Sequence, residues 1–132
     1  MKKFAVIGSP ISHSLSPSIH TAFGELSGID LSYEAMEVKE GDFTKKVNLL
    51  LDDYEGINVT LPLKKMAYEI SNVPSKASTQ SRSANVIWKK KGKIYCENTD
   101  GKGLLKDFED KEISIQSRNL LLIGAGGAAL SI

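Results

Sequence analysis

The sequence predicts an α/β domain: a mostly parallel sheet with one antiparallel hairpin member and helices on both faces. Three observations predict it. Short apolar runs such as "FAVI" and "GINVTL" alternate with stretches whose apolar residues recur at helical spacing, the order that yields a parallel sheet covered on both sides. The runs stop at chain breakers, Gly8 and Pro10 for the first and Pro62 for the other. Two later runs, "ANVIWKK" and "KIYCEN", are joined by a Lys-Gly turn, which marks a hairpin.

Taken in order, Phe4 to Ile7 reads as a buried first strand. Ser16 followed by Pro17 is a helix start, since proline suits the first helical position and serine caps free amides. Ile19, Phe23 and Leu26 share one face of that helix, which predicts that they point inward, and Gly28 ends it. "LSYEAMEV" alternates as a second strand. Asp42 can cap a helix that turns Phe43, Val47, Leu50 and Leu51 inward. "GINVTL" is the third strand, and "LKKMAYEI" after Pro62 a short helix. From Ser75 to Ser83 the chain is small and polar, a loop or a poor helix. The hairpin follows, then a helix "GKGLLKDFED" opened by Thr99 or Asp100. Trp88, Phe23 and Phe108 are expected in or beside the core. "KEISIQSRN" reads as a boundary. A last apolar run, Leu120 to Ile123, predicts a strand that turns sharply at a glycine-rich segment into a helix.

The bulk properties exclude several classes. A chain of 132 residues is one domain, or one with an appendage, and is long enough to bury a core unaided. Its net charge of +1 gives no overall field for nucleic acid or an anionic membrane. "KKKGK", Lys89 to Lys93, is a solubilising turn without interleaved aromatics rather than a nucleic-acid site. No stretch approaches the roughly 20 apolar residues of a membrane span. The single cysteine, Cys96, can form neither an internal disulfide nor a cysteine metal cluster, and fits a reducing, cytoplasmic setting. His13 and His20 lack metal-ligand spacing to any cysteine or acidic pair, so no metal is expected. His13 lies beside the serines discussed next; His20 reads as an ordinary helix residue.

In sheets of this kind ligands gather outside the carboxyl ends of the strands, and three loops in such positions carry chemistry. In "GSPISHSLSPS", Ser14 and Ser16 precede a helix start, where free amides and the helix dipole suit an anionic or polyhydroxylated ligand; plain capping by Ser16 is the alternative. In "NVTLPLKK", Asn58 and Thr60 lie near the strand end and Lys64 follows the proline turn. A lysine drawn into a semi-closed cleft is suited to proton transfer, whereas Lys65 beside it reads as the ordinary solvated case. In "ENTDGKG", Asp100 can cap a helix, or hold a hydroxyl and orient a lysine. Asn85, at the start of "ANVIW", can both donate to and accept from a ligand hydroxyl; a turn role is its alternative.

Four motifs in series, "GSPISHSLSPSIH", "NVTLPLK", "ENTDGKGLL" and "LLIGAGGAA", resemble the shikimate dehydrogenase family over nearly the whole chain. That resemblance implies interconversion of 3-dehydroshikimate and shikimate with NADP(H), in aromatic amino-acid biosynthesis. Ser14 and Ser16 match the serines that bind the substrate carboxylate. Thr60 matches the threonine lining the pocket, Lys64 the catalytic lysine and Asp100 its acidic partner on the substrate hydroxyls. Asn85 matches a substrate-binding asparagine, although the family's usual "VNT" is "ANV" here, preceded by "SRS". Gly124, Ala125, Gly126, Gly127 and Ala128 match the turn that binds the NADP phosphates.

The resemblance also implies a division: a substrate-binding and catalytic domain over 1–110, a linker over 111–118, and the start of a Rossmann NADP-binding domain over 119–132. A dinucleotide fingerprint needs a βαβ unit of ~30 residues, and only Ala128 to Ile132 follow the glycines. The sequence therefore reads as an N-terminal fragment or truncated product, inactive alone. A stable non-catalytic module that holds shikimate or a protein is one alternative, and a relative that prefers quinate another. A bare strand at Leu120 to Ile123 is expected to be disordered, to fold back, or to pair with a second copy into a homodimer.

Overall fold

A computed structural model describes residues 1–132. Its six strands are β1 (Lys2–Gly8), β2 (Leu31–Glu37), β3 (Gly56–Val59), β4 (Val73–Pro74), β5 (Val86–Lys90) and β6 (Lys93–Glu97), in the spatial order β2-β1-β3-β5-β6-β4. β1 pairs in parallel with β2 and β3, β5 runs antiparallel to both β3 and β6, and β4 is parallel to β6. Five strands therefore point one way and β5 alone is reversed, as the hairpin predicts. The loops after β1, β3 and β6 thus emerge at one rim. Because β5 runs backwards, the residue before it, Asn85, starts at that rim too.

The two faces carry different cores. The larger cluster joins Ile7, Ile57, Val59, Ile87 and Cys96 of the sheet to Phe43, Val47 and Leu51 of α2 (Phe43–Asp53) and to Leu63 and Ala67 at α3 (Lys64–Glu69). These α2 residues are the inward set that the sequence predicts, with Leu50 only half-buried. The other face holds a small cluster, Val6, Ile11 and Tyr33, flanked by Phe4 and Leu31, beneath α1 (Ser16–Ser27). Hydrophobic burial is thus concentrated on the α2–α3 side. No helix is long and apolar enough to cross a membrane.

The apolar stripe of α1 is the main difference from expectation. Ile19, Phe23 and Leu26 are 45%, 56% and 86% exposed. Ser16, His20 and Gly24, four residues apart and so on one face, turn toward the sheet instead. Gly24 is the buried member, and a Cβ there would lie 2.9 Å from the Leu31 side chain. The missing side chain lets the helix approach β2, and this approach decides which face is inward. Capping differs as well. Ser16 is the first helical residue, Leu15 occupies the cap position, and the Ser14 hydroxyl accepts from the Ser16 amide at 3.3 Å. The Ser16 side chain is therefore not used as a cap.

Other elements are close to expectation. A 3₁₀ turn, Glu40–Asp42, runs directly into α2, and Asp42 makes no side-chain cap. The polar stretch after Val73 contains the short edge strand β4 and α4 (Lys76–Ser81), whose Ser75 hydroxyl accepts from the Ser78 amide at 3.0 Å. The hairpin turns at Lys91 and Gly92, both with positive φ (50° and 75°), the geometry of a two-residue turn that matches strand twist. Trp88 stacks on Tyr95 across it, centroids 5.6 Å apart. α5 (Asp100–Asp110) opens with Thr99 in the cap position.

The predicted terminal strand is not formed. Leu120 to Ile123 have no regular structure and are largely exposed, and after Gly124 the chain has only a short 3₁₀ turn, Ala129–Ser131. A strand needs a neighbour to pair its amides and carbonyls, and the chain brings none beside this run. The segment instead folds back on the sheet rim. Asn98 Nδ2 donates to Ser131 Oγ at 2.7 Å, and Gly127 rests against Ser83.

Candidate active site

The rim groove is built from three crossings of the chain. After β1, the chain turns at Ile11, whose carbonyl accepts from the Ser14 amide at 3.0 Å, and presents Ser14 and Ser16 as it enters α1. After β3, Thr60 caps a tight turn in which its carbonyl accepts from the Leu63 amide at 2.9 Å, so that α3 begins at Lys64. The two loops are tied together by a bond from the Ser9 amide to the Leu61 carbonyl at 3.1 Å. Peptide bonds Ser9–Pro10 and Leu61–Pro62 are both cis. One cavity of about 350 Å³ is lined by Ser14, Ser16, His13 and Thr60. A second, of about 170 Å³, shares Val6, Ser16 and Thr60 with it and adds His20, Asn58, Lys64, Asn85 and Asp100. The two are one continuous groove.

Gly8 is what allows the loops to meet. A Cβ there would come within 2.5 Å of Thr60 Cγ2 and 3.0 Å of the Leu61 carbonyl oxygen. The carbonyl is backbone and cannot step aside cheaply. We expect Gly8→Ala to cost about 1–3 kcal/mol through overpacking, read as a lower urea midpoint; an unchanged midpoint would show that the two loops can part without cost.

Inside the groove, Lys64 Nζ lies 2.7 Å from Asp100 Oδ2, with the two side chains 17% and 29% exposed. The other carboxylate oxygen, Oδ1, accepts from Asn85 Nδ2 at 3.0 Å, and the same amide nitrogen donates to Thr99 Oγ1 at 2.9 Å. Asn85 Oδ1 accepts from the Thr99 amide at 2.9 Å. Asp100 is thus held at both oxygens. Each oxygen keeps a further lone pair for a ligand hydroxyl. Asn85 orients this carboxylate and its own donors are spent on it and on Thr99. Lys65 points away, 77% exposed and 3.6 Å from Glu69. The predicted residues Ser14, Ser16, Thr60, Lys64, Asn85 and Asp100 therefore converge on one groove, although they come from four separate parts of the chain.

Asn58, which the sequence places at this strand end, and His20, which it reads as an ordinary helix residue, also line the groove, and Tyr33 supports both from behind. Tyr33 donates to Asn58 Oδ1 at 2.6 Å, and Asn58 Nδ2 donates to the Asn85 carbonyl at 3.3 Å. An amide nitrogen carries two hydrogens, so one Asn58 N–H remains for the groove. His20 stacks on Tyr33 at 4.2 Å, and its Nδ1 is 2.9 Å from the Ser16 carbonyl. The signal for Asn58 lies in strand alternation: it pairs with Val6 and so faces the α1 side. His20 is readable only once Gly24 is known to set the helix face.

Burial pushes the Tyr33 phenol up to about 12, against about 10 in an unfolded chain. Between these values the unfolded chain releases a proton that the folded chain keeps. Stability contributed by the neutral phenol is therefore whole below about pH 10 and is lost as pH rises to about 12, by about 2–3 kcal/mol. Urea unfolding at about pH 9 and pH 11.5 checks this. Tyr33→Phe is expected to lack that part of the alkaline loss; equal losses in both proteins would refute the assignment.

The turn at Gly124 to Ala128 takes no part in this groove. Ala125, Gly126 and Gly127 line a separate cavity of about 390 Å³ beside the start of α3 and the end of α4.

Residues 6–87 match the family described as the shikimate dehydrogenase substrate binding domain. The chain belongs to the shikimate dehydrogenase family. Among its relatives in that family, the shikimate dehydrogenase (NADP(+)) of Legionella pneumophila (strain Lens) is 39% identical over 133 aligned positions, which cover 100% of this chain and 50% of the relative. That of Xanthomonas euvesicatoria pv. vesicatoria (strain 85-10) is 38% identical, covering 100% and 47%. Among solved structures, the shikimate 5-dehydrogenase of Thermus thermophilus in complex with NADP(H) and shikimate is 32% identical, with a TM-score of 0.94, covering 100% of this chain and 50% of that one. An Ael1 enzyme from Pseudomonas putida is 38% identical, with a TM-score of 0.92, covering 99% and 49%. The chain spans about half the length of the shikimate dehydrogenases it matches.

Proposed function

We propose that this chain is the substrate-holding half of an NADP-dependent shikimate dehydrogenase, the part that binds 3-dehydroshikimate or shikimate and moves the proton. One observation carries the reading: an ammonium and a carboxylate at 2.7 Å, half-sheltered in a groove whose far end bears two serine hydroxyls. Ser14 and Ser16, with the α1 amides, hold the ligand carboxylate. Asn58, Thr60 and Asp100 take its hydroxyls. Ligand atoms fixed at both ends lose the motion that would otherwise blur the reacting carbon.

The reduced cofactor, when bound, supplies a hydride to the carbonyl carbon. Lys64 then delivers one N–H proton to the oxygen as it becomes an alkoxide, and in the reverse direction its amine takes that proton back. Asp100 holds the ammonium at the reacting oxygen and accepts from a neighbouring hydroxyl. The residues at hand fit a dinucleotide at the glycine-rich turn: at Gly124 and Gly126 nothing lies within 4 Å of where a Cβ would sit, and such bare, open backbone lets a diphosphate approach. Gly124, Gly126 and Gly127 would hold it. In this reading the substrate domain ends with α5 at residue 110, residues 111–118 are a linker, and 119–132 belong to the nucleotide-binding part. A reducing cytoplasmic setting belongs to the reading as well; Cys96 is a buried free thiol.

Titration of shikimate into the chain, followed by amide shifts, tests the groove. Shifts concentrated at Ser14, Thr60 and Asp100 are expected. Silence at millimolar ligand would remove the claim that the groove is preformed for it.

A further inference from the structure

The cavity beside the catalytic groove has a character of its own. It lies between the turn after β3, the end of α4 and the glycine-rich segment, and its volume is about 390 Å³. Lys64, Lys65 and Arg82 line it, and no carboxylate does. Lys64 is committed to Asp100 across the groove. Lys65 pairs only at the exposed surface, at 3.6 Å from Glu69, and Arg82 makes no ion pair. The opposite wall is Ala125, Gly126 and Gly127, backbone that no side chain shields.

The same wall contains the protein's one buried side-chain polar atom without a partner, Ser83 Oγ. Ser83 is 1% exposed and lies against Gly127. A buried hydroxyl left unpaired is costly, and its three neighbouring serines show the contrast. Ser75, Ser78 and Ser81 are all engaged in hydrogen bonds. An unmet donor, an unpaired guanidinium, a lysine held only by an exposed ion pair and bare glycine backbone around one cavity are the complement of a phosphate group, which brings several acceptor oxygens and negative charge.

We propose that Arg82, Lys65 and Ser83 form a phosphate-binding subsite facing the glycine-rich segment, so that the substrate half of the protein grips part of the diphosphate itself. The subsite deepens the dinucleotide reading above and is independent of shikimate. The bidentate guanidinium of Arg82 matches two phosphate oxygens, Lys65 adds a point charge, and Ser83 donates one hydroxyl. Arg82 is set toward the cavity by its place at the end of α4, where it adopts left-handed backbone angles (φ 48°, ψ 39°) and its amide donates to the Ser78 carbonyl. This gives a clean variant, because glycine takes those angles more readily than arginine. Arg82→Gly removes the guanidinium without disturbing the backbone.

The test titrates inorganic pyrophosphate and, separately, NADP⁺ into the intact 132-residue chain, reading amide shifts and affinity at two salt concentrations. Pyrophosphate is expected to shift the amides of Ser83, Gly126 and Gly127 while Ser14 stays still. Arg82→Gly should weaken binding roughly tenfold and flatten its salt dependence, and Ser83→Ala should weaken it by about threefold to tenfold. If pyrophosphate is silent but NADP⁺ binds and depends on Arg82, the subsite stands and requires the whole dinucleotide. If NADP⁺ binds with the same affinity to the wild type, Arg82→Gly and Ser83→Ala, the subsite is refuted while the cofactor reading survives. If neither ligand shifts these amides at millimolar concentration, the subsite is likewise refuted, and the shikimate titration still judges the groove on its own.

Discussion

Under the proposed function, replacing Lys64 with alanine is expected to lower the turnover of 3-dehydroshikimate reduction by roughly 10²–10⁴-fold, the range for loss of a positioned proton donor, and to change shikimate affinity far less. Lys64 is the one ammonium in the inner groove, 17% exposed and 2.7 Å from Asp100. Without it, the developing alkoxide must take its proton from water, which has no fixed place there. The other groups proposed to hold the ligand, Ser14, Ser16, Thr60 and Asp100, are untouched, so the ground-state complex is expected to keep most of its contacts. The loss is therefore expected in kcat rather than KM. The assay uses a form carrying a nucleotide-binding half like those of its relatives. Lys65→Ala is the control for proton donation: one residue away and 77% exposed, it leaves kcat at saturating cofactor as it was, and any effect it has falls on cofactor affinity. Turnover of Lys64→Ala equal to the parent's would exclude Lys64 as the donor.

What could be read from sequence, and what could not, follows from the range of the interactions involved. β1, β2, β3 and the hairpin are local patterns of alternation and breakers, and all appear close to their expected positions. The inward face of α2 is legible because Phe43, Val47 and Leu51 form a clean stripe against a large core. The same logic fails for α1. Its strongest apolar stripe is exposed, and its orientation is decided by contact between Gly24 and Leu31, which lie on different elements. Leu120 to Ile123 look like a strand by composition, but pairing is a property of neighbours, and none is present. The convergence of Ser16, Thr60, Lys64 and Asp100 is legible because strand ends in such sheets share a rim. The role of Asn85 as a clamp on Asp100, and the Tyr33–Asn58–His20 layer beneath, depend on register and on side-chain geometry that no local pattern encodes.

Leu63→Ala is expected to have a large effect on the fold, and it reaches the site as well. Leu63 is fully buried in the main core cluster and occupies the cap position of α3, directly before Lys64. Its amide donates to the Thr60 carbonyl and its carbonyl accepts from Ala67. The side chain is therefore the anchor by which the turn carrying Thr60 and Lys64 is fixed to the sheet. Truncation loses about 2–5 kcal/mol, the sum of lost burial and an unfilled cavity, a large share of the ~5–15 kcal/mol that holds a domain of this size together. A core deletion alone would do that much anywhere. The specific claim is that Leu63→Ala also loosens Lys64 against Asp100. Phe43→Ala separates the two effects, since Phe43 is 1% exposed in the same cluster but sits at the start of α2, outside the groove. Its expected cost is about 3–5 kcal/mol, at least equal to that of Leu63. Under conditions where both variants remain folded, shikimate should shift the amides of Thr60 and Asp100 normally in Phe43→Ala and weakly in Leu63→Ala. Equal responses would mean that the turn holds its shape without its anchor, and that core packing and site geometry are uncoupled here.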